Sequence, residues 1–157
     1  MTKKQVKEIV FNSEIHKWSE NNSEFDQKLN GKKNIIVLIE DERKNLFGGY
    51  IGNEIQIWKY MKDESCYLFS LRKNGKYRFK KYLKNETGYS YIIPNDSSDG
   101  LMAFGVNNNR GKDITLYKKD YSSGYCEQEC YEYSRQTFTL TGKCCFNIKR
   151  IVIYQLQ

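Results

Sequence analysis

Four of the five cysteines have spacings that can support thiol chemistry. Cys126 and Cys130 form a C-x3-C pair, and Cys144 and Cys145 are adjacent. Four thiolates suit a tetrahedral zinc ion, but two neighbouring cysteines rarely chelate one ion comfortably, so we predict no metal site. The competing interpretation is redox chemistry, since Lys143 can stabilise a thiolate at Cys144. The redox candidates are therefore Cys126, Cys130, Cys144 and Cys145.

Catalytic chemistry finds less support in this sequence. A nucleophilic mechanism needs a base beside the nucleophile, and the single histidine is His16, close to Trp18 near the start of the chain. No known nucleophile motif surrounds any cysteine, and neither a Walker-type phosphate loop nor a G-x-G-x-x-G after a strand is present. We predict a protein that is not an enzyme and that needs no cofactor.

A basic segment is the strongest candidate for binding an anion. The segment RKNGKYRFKKYLK contains no acidic residue. Its basic residues are Arg72, Lys73, Lys76, Arg78, Lys80, Lys81 and Lys84. Alternation along a hairpin would place basic side chains in a row, and Tyr77, Phe79 and Tyr82 would stack on nucleic-acid bases if they are exposed. The alternative is an ordinary solvated hairpin whose aromatic side chains belong to the core.

Length and composition set the broad class. A chain of 157 residues is the size of one domain, and an aromatic fraction of 15% favours strands over helices. The net charge of +7 suits an anionic partner, but it also arises from a general richness in lysine. No apolar run is long enough for a membrane span, and the N-terminal segment lacks a secretory signal. We expect a cytoplasmic protein with reduced thiols and without membrane insertion, and the nucleus is the alternative location.

Strand patterns dominate the chain. The run Asn34 to Glu40 predicts a strand buried on both faces, and Leu46 to Gly52 predicts its hairpin partner. Asn74-Gly75 predicts a second hairpin. Further strand patterns occur in YSYII, LMAFG, DITLY, FTLTG and IKRIVIYQL. One helix is predicted after Asn22 or Ser23, with Phe25 and Leu29 on its apolar face, and 54–64 is ambiguous.

These elements predict the fold class and the domain boundaries. Eight to nine short strands, with few helices and no βαβ alternation, predict a mainly β (α+β) protein. Its architecture would be a two-layer antiparallel β-sandwich with one or a few short capping helices. We expect a flexible lead-in over residues 1–10 and a single domain over residues 11–157.

Several segments, taken in order, resemble the TLDc family over nearly the whole domain. They are Phe47-Gly48-Gly49-Tyr50, Leu68-Phe69-Ser70-Leu71, the step from Phe104-Gly105 to Gly111-Lys112-Asp113-Ile114, and Leu140 with Gly142 before the final strand. One connection departs from the family pattern. Asn107 to Arg110 lengthen it, and Lys112 stands where the family usually has histidine.

The resemblance implies a β-sandwich capped by helices and a role in resistance to oxidative stress. For some members it implies binding to the vacuolar proton-pumping ATPase (V-ATPase) and regulation of its assembly. It brings no established catalytic residues. We therefore expect a TLDc-like, non-enzymatic domain that binds a protein partner, with V-ATPase peripheral subunits as candidates. The alternative is a DNA-binding stress-response regulator that uses Arg72 to Lys84. The sequence leaves the oligomeric state open.

Overall fold

A computed structural model describes residues 4–95, 98–132 and 140–157. These residues contain thirteen strands and one short helix. The strands are β1 (Val6–Asn12), β2 (Trp18–Ser19), β3 (Asn22–Ser23), β4 (Ile35–Asp41), β5 (Leu46–Ile51), β6 (Tyr60–Met61), β7 (Tyr67–Lys73), β8 (Lys76–Leu83), β9 (Tyr89–Ile92), β10 (Gly100–Val106), β11 (Lys112–Tyr117), β12 (Ser123–Cys126) and β13 (Cys145–Leu156). The helix is α1 (Phe25–Leu29).

One antiparallel, hydrogen-bonded path joins most of these strands. Its order is β6-β9-β10-β11-β12-β13-β4-β5-β7-β8, and β1 pairs with β13 beside that path. The long strand β13 joins two halves of this path, from β6 to β12 and from β4 to β8. Its first residues pair with Ser123 to Tyr125 of β12, and its residues from Ile148 onward pair with β4. The two-residue strands β2 and β3 form a separate small sheet.

The two halves of this path face each other across a shared apolar interior. A Cβ added to Gly49 of β5 would lie only 2.5 Å from the ring of Phe104 in β10, on the other half. The rings of Phe47 in β5 and Phe146 in β13 meet edge to face with centroids 5.2 Å apart. The predicted fold class is confirmed: the protein is mainly β, with a large antiparallel sheet and one short helix, consistent with a β-sandwich.

The predicted flexible lead-in over residues 1–10 is wrong for Val6 to Val10. These residues belong to β1, which pairs antiparallel with β13 from Val6↔Leu156 to Asn12↔Val152. The outer part of β1, from Val6 to Ile9, is exposed and contains two charged and two apolar residues, so its sequence shows no clear period. Strand β1 is ordered by backbone hydrogen bonds to β13, which lies almost 150 positions further along the chain. A local sequence pattern does not reveal such a pairing.

Other local predictions are confirmed or corrected by the strands and the helix. The helix exists and buries Phe25 and Leu29, but its N-cap is Glu24 rather than Asn22 or Ser23. Strand β4 alternates between buried and half-buried positions, so it is not fully buried on both faces. Both predicted hairpins are present. Residues 54–64, which the sequence left ambiguous, contain the short strand β6. Of the predicted strand FTLTG, Phe138 and Thr139 lie outside the described residues, and Leu140 to Gly142 form a turn rather than a strand.

Candidate functional site

The hairpin of β7 and β8 carries the predicted basic segment and is built around a tight turn. Asn74 and Gly75 both have positive φ, 50° and 75°, as a type I′ hairpin turn requires. The N–H of Asn74 donates to Oδ1 of Asn45 at 2.9 Å, which fixes the turn to the neighbouring hairpin. Strand β8 stands at one end of the sheet order, so no further strand of that path pairs with its outer backbone edge.

Alternation along β8 separates two kinds of side chain. Successive residues of a strand point to opposite faces. Tyr82 is buried in the core, and Lys76, Arg78 and Lys80 continue along its face toward the turn. The opposite face carries what we call the exposed stripe, namely Tyr77, Phe79 and Leu83, whose exposed fractions are 74%, 62% and 56%.

The face that carries the basic row lines a recess of about 360 Å³, which we call the basic groove. Its lining residues are Ser70, Lys73, Asn74, Lys76, Arg78, Lys80 and Tyr82. All of these are basic or neutral. The groove therefore brings together four of the seven basic residues predicted from the sequence.

The like charges in the groove affect one another. Partial burial, and secondarily the positive charge of Lys80, lower the pKa of Lys73 below its usual value of 10.5. A cation that loses water and gains a like-charged neighbour is stabilised by an anion placed between the two charges. The groove is thus suited to attract a negative group.

The other three predicted basic residues make contacts elsewhere. Arg72 forms an ion pair from Nη2 to Oε1 of Glu40 at 3.4 Å. Lys81 places Nζ 4.0 Å from the centre of the Tyr67 ring. Lys84 donates from Nζ to three backbone carbonyl oxygens, of Asn85, Thr87 and Gly88, at 2.9, 3.3 and 3.4 Å.

The aromatic side chains of the segment are split between the core and the surface. Tyr77 and Phe79 are exposed, as base stacking would require, but they lie on the face opposite the basic groove. Tyr82 is only 4% exposed and lines the inner end of the groove. Sequence reasoning did not identify Leu83 as part of the exposed stripe, although continued period-two alternation from Tyr77 would have indicated it.

The predicted redox cysteines occupy different environments. Cys126 and Cys130 are buried, together with Cys66. Burial raises the pKa of Cys66 to about 12 and is also the main cause of a pKa well above 9.0 for Cys126. Buried, protonated thiols are poor nucleophiles, so these positions are typical of core packing.

The adjacent pair differs from the buried cysteines. Cys144 is half-buried and Cys145 is exposed, and their Sγ atoms lie 3.6 Å apart. The hydrogen bond with Cys144 is the main cause of a raised pKa at Cys145. A redox function for this pair stays a prediction.

His16 has a local structural contact. Its Nδ1 accepts the backbone N–H of Asn12 at 3.0 Å, and its ring lies 5.5 Å from that of Phe11. Within residues 4–95, 98–132 and 140–157, no three histidine, cysteine or acidic side chains are grouped closely enough to hold a metal ion. The helix found in the described residues, α1, has five residues and is too short to cross a membrane.

A family model described as the TLDc domain matches residues 2–157, essentially the whole chain. The protein belongs to the TLDc family. A search of curated proteins found no match.

The glycines that carry the TLDc resemblance in this chain have a packing function. A Cβ on Gly48 would lie 1.8 Å from the carbonyl oxygen of Val37, and one on Gly49 would enter the Phe104 ring. Gly105 has φ of 62°, and a Cβ there would lie 1.9 Å from Oδ2 of Asp113. The close approach explains why these positions lack side chains.

Asp113, another residue of the TLDc motif, organises a loop from inside the protein. This fully buried carboxylate accepts three backbone N–H groups, from Glu129 at 3.1 Å, Cys130 at 2.7 Å and Tyr131 at 3.2 Å. The same loop bonds to the long connection of this chain, because Nδ2 of Asn107 donates to the carboxylate of Glu129. The motif therefore has a structural function here, and the candidate binding surfaces lie on the β7–β8 hairpin.

Proposed function

We propose that this TLDc domain is a non-enzymatic module that binds a protein partner through the exposed stripe of β8. The observation that carries the proposal is the display of Tyr77, Phe79 and Leu83 at the end of the sheet, each more than half exposed. Aromatic side chains are enriched among the residues that dominate binding energy at protein interfaces. We further propose that the protein acts in the cytoplasm.

The stripe is partly held in place by its neighbours. Arg72 donates from Nη1 to the hydroxyl of Tyr77 at 2.7 Å, and its guanidinium carbon lies 5.2 Å from the centre of that ring. Between Phe79 and Leu83 on the same face, Lys81 packs on Tyr67, which stacks on Tyr50 with ring centroids 5.1 Å apart. A surface that is already ordered loses less entropy when a partner binds.

Family membership guides the choice of partner. The resemblance of the sequence to TLDc proteins leads us to propose peripheral subunits of the V-ATPase as the partner and the response to oxidative stress as the setting. A DNA-binding regulator is the alternative, and the cluster of four basic residues in the groove favours it. That alternative is weaker, because Tyr77 and Phe79 face away from the groove and do not stack on a nucleic acid bound there.

The test is capture of the peripheral V-ATPase sector by the immobilised domain. The double variant Tyr77→Ser/Phe79→Ser removes two exposed rings, and loss of interface anchors of this kind typically weakens binding by ~30-fold or more. The matched control is Ile15→Ser/Tyr121→Ser, which removes two large hydrophobic side chains that are also exposed, at 73% and 48%.

We expect the unmodified domain and the control variant to capture pump subunits and the stripe variant to lose them. Equal capture by both variants would reject the stripe as the docking surface. Recovery of neither pump subunits nor any other stable partner would count against the proposed function itself. A gel shift with duplex DNA at two salt concentrations tests the alternative, because each phosphate contact contributes about −0.9 to the log-log slope.

A further inference from the structure

The basic groove lies where the apolar core ends. Leu68 is fully buried, its partner Tyr82 is 4% exposed, and Ser70 is 3% exposed. The next residues on this face of the hairpin are Lys80, Arg78 and Lys76, followed across the turn by Lys73. The core-facing side of the sheet thus changes from apolar to strongly positive over one strand. Partial burial lowers the pKa of Lys73, so this cation has lost hydration that an opposite charge would compensate.

Among the residues that the structure describes, no carboxylate lines the groove to provide that compensation. Glu40 is the acidic residue that pairs with this hairpin, and it contacts Arg72 at 3.4 Å and Lys149 at 3.2 Å, outside the groove. The residues of the described chain that line the groove carry four positive charges and no negative one. An anion from solution is therefore the natural counter-charge.

The size of the groove restricts the kind of anion. Its volume of about 360 Å³ is near the lower end of the range for small-molecule sites, roughly 300–1,000 Å³. From Lys76 to Lys80 the strand advances by about 13 Å. A single phosphate therefore contacts all the basic groups only if their side chains converge on it. A phosphate monoester carries about −1.5 to −2 near neutral pH, so two such groups balance the four cations.

We propose that the basic groove binds a small anion that carries two or more phosphate groups. The flexible ammonium groups of Lys73, Lys76 and Lys80 neutralise charge, and the forked guanidinium of Arg78 donates in pairs to phosphate oxygens. Ser70 and Asn74 supply neutral hydrogen-bonding groups at the same recess. This site is on the face of β8 opposite the exposed stripe, so anion binding does not depend on the proposed protein partner.

Isothermal titration calorimetry with the intact domain tests the site, with tripolyphosphate and inositol trisphosphate as the probes. The groove variant is Lys76→Gln/Arg78→Gln/Lys80→Gln. The charge-matched control is Lys33→Gln/Lys59→Gln/Lys119→Gln, which removes three exposed cations at other places. Thermal melts of both variants establish that they fold.

We expect saturable binding that weakens with added salt. Since each exposed ion pair contributes a fraction of a kcal/mol, the groove variant should bind roughly ten-fold more weakly or worse, and the control variant should bind as the unmodified protein does. The stripe variant Tyr77→Ser/Phe79→Ser should also bind normally. Failure of the partner-capture experiment therefore leaves this result unchanged.

Two further arms distinguish the sources of phosphate. Flotation with phosphatidylcholine vesicles, with and without a phosphoinositide bisphosphate, shows whether the groove takes a lipid headgroup as well as a soluble anion. No saturable binding of either soluble probe, or equal loss in the groove and control variants, would overturn the proposal. Tighter binding of duplex DNA, a single-stranded oligonucleotide or a polyglutamate peptide would overturn it in favour of a polymer.

Discussion

Removing the acceptors of Asp113 should detach an internal loop and destabilise the whole domain. The carboxylate of Asp113 is fully buried and accepts the N–H groups of Glu129, Cys130 and Tyr131. Asp113→Asn keeps the shape and one acceptor oxygen but replaces the other oxygen with a donor. At least one buried N–H group, most directly that of Cys130 at 2.7 Å from Oδ2, then loses its partner.

The magnitude follows from the cost of an unsatisfied buried donor. One such group costs about 1–3 kcal/mol, so we expect Asp113→Asn to lower the free energy of unfolding by about 2 kcal/mol. Asp113→Ala removes the acceptors for all three N–H groups, and we expect a loss of about 3–5 kcal/mol, limited by the energy needed to release the loop.

Urea unfolding followed by tyrosine and tryptophan fluorescence measures both losses. With an m-value of about 2 kcal/mol/M, Asp113→Asn should shift the midpoint by about 1 M. Asp99→Asn is the matched control, because Asp99 is exposed and the same chemical change there should have little effect. A second readout is local: Cys130 is fully buried beside Asp113, and its thiol should become reactive in the variants.

A small loss of stability in Asp113→Asn would contradict this role of the carboxylate. If the free energy of unfolding of Asp113→Asn lies within about 0.5 kcal/mol of that of the unmodified protein, the three hydrogen bonds do not hold the loop. Unchanged protection of Cys130 would support the same conclusion. The structural interpretation of the TLDc motif in this chain would then have to be abandoned.

Two other predictions concern packing and titration. Gly49→Ala should destabilise the fold by about 1–3 kcal/mol in the same urea assay, because the new Cβ would lie 2.5 Å from ring atoms of Phe104. The double variant Gly49→Ala/Phe104→Leu should recover part of this loss of stability. Burial raises the pKa of the Cys66 thiol from 9.0 to about 12, so this thiol loses its proton first in the unfolded chain. Its stabilising contribution is present below pH 9.0 and should be lost as the pH rises towards about 12, at up to about 1.4 kcal/mol per pH unit. Urea unfolding at several alkaline pH values should show a shallower decline for Cys66→Ala, and an unchanged decline would contradict the assignment.

Local chemistry in the sequence was enough to predict the hairpins and the family. Asn74-Gly75 indicated a turn that needs positive φ at both residues, and the structure has that turn. The Gly48-Gly49 pair is part of the segment that resembles the TLDc family, and the carbonyl of Val37 and the ring of Phe104 leave no room for a side chain there. These predictions depend on steric limits that act within a few residues or on an unusual lack of side chain, so they are visible in the sequence.

Long-range pairing was not visible in the same way. Val6 to Val10 were assigned to a flexible lead-in, but they pair with β13 at the other end of the chain. Four of these five side chains are exposed, Lys7 and Glu8 are charged, and the ladder is made by backbone groups that every sequence has. Only the tertiary structure shows which distant strand accepts them.

Residue types and local patterns are sufficient to indicate a mainly β member of the TLDc family with a strongly basic hairpin. The division of the seven basic residues depends on the folded chain. Glu40, the Tyr67 ring and three carbonyl oxygens engage Arg72, Lys81 and Lys84, which leaves four basic residues around the groove. The position of the exposed aromatic side chains on the other face of β8 depends on it as well. Charge and apolarity are properties of single residues, whereas contacts depend on register, twist and the distance to residues far along the chain.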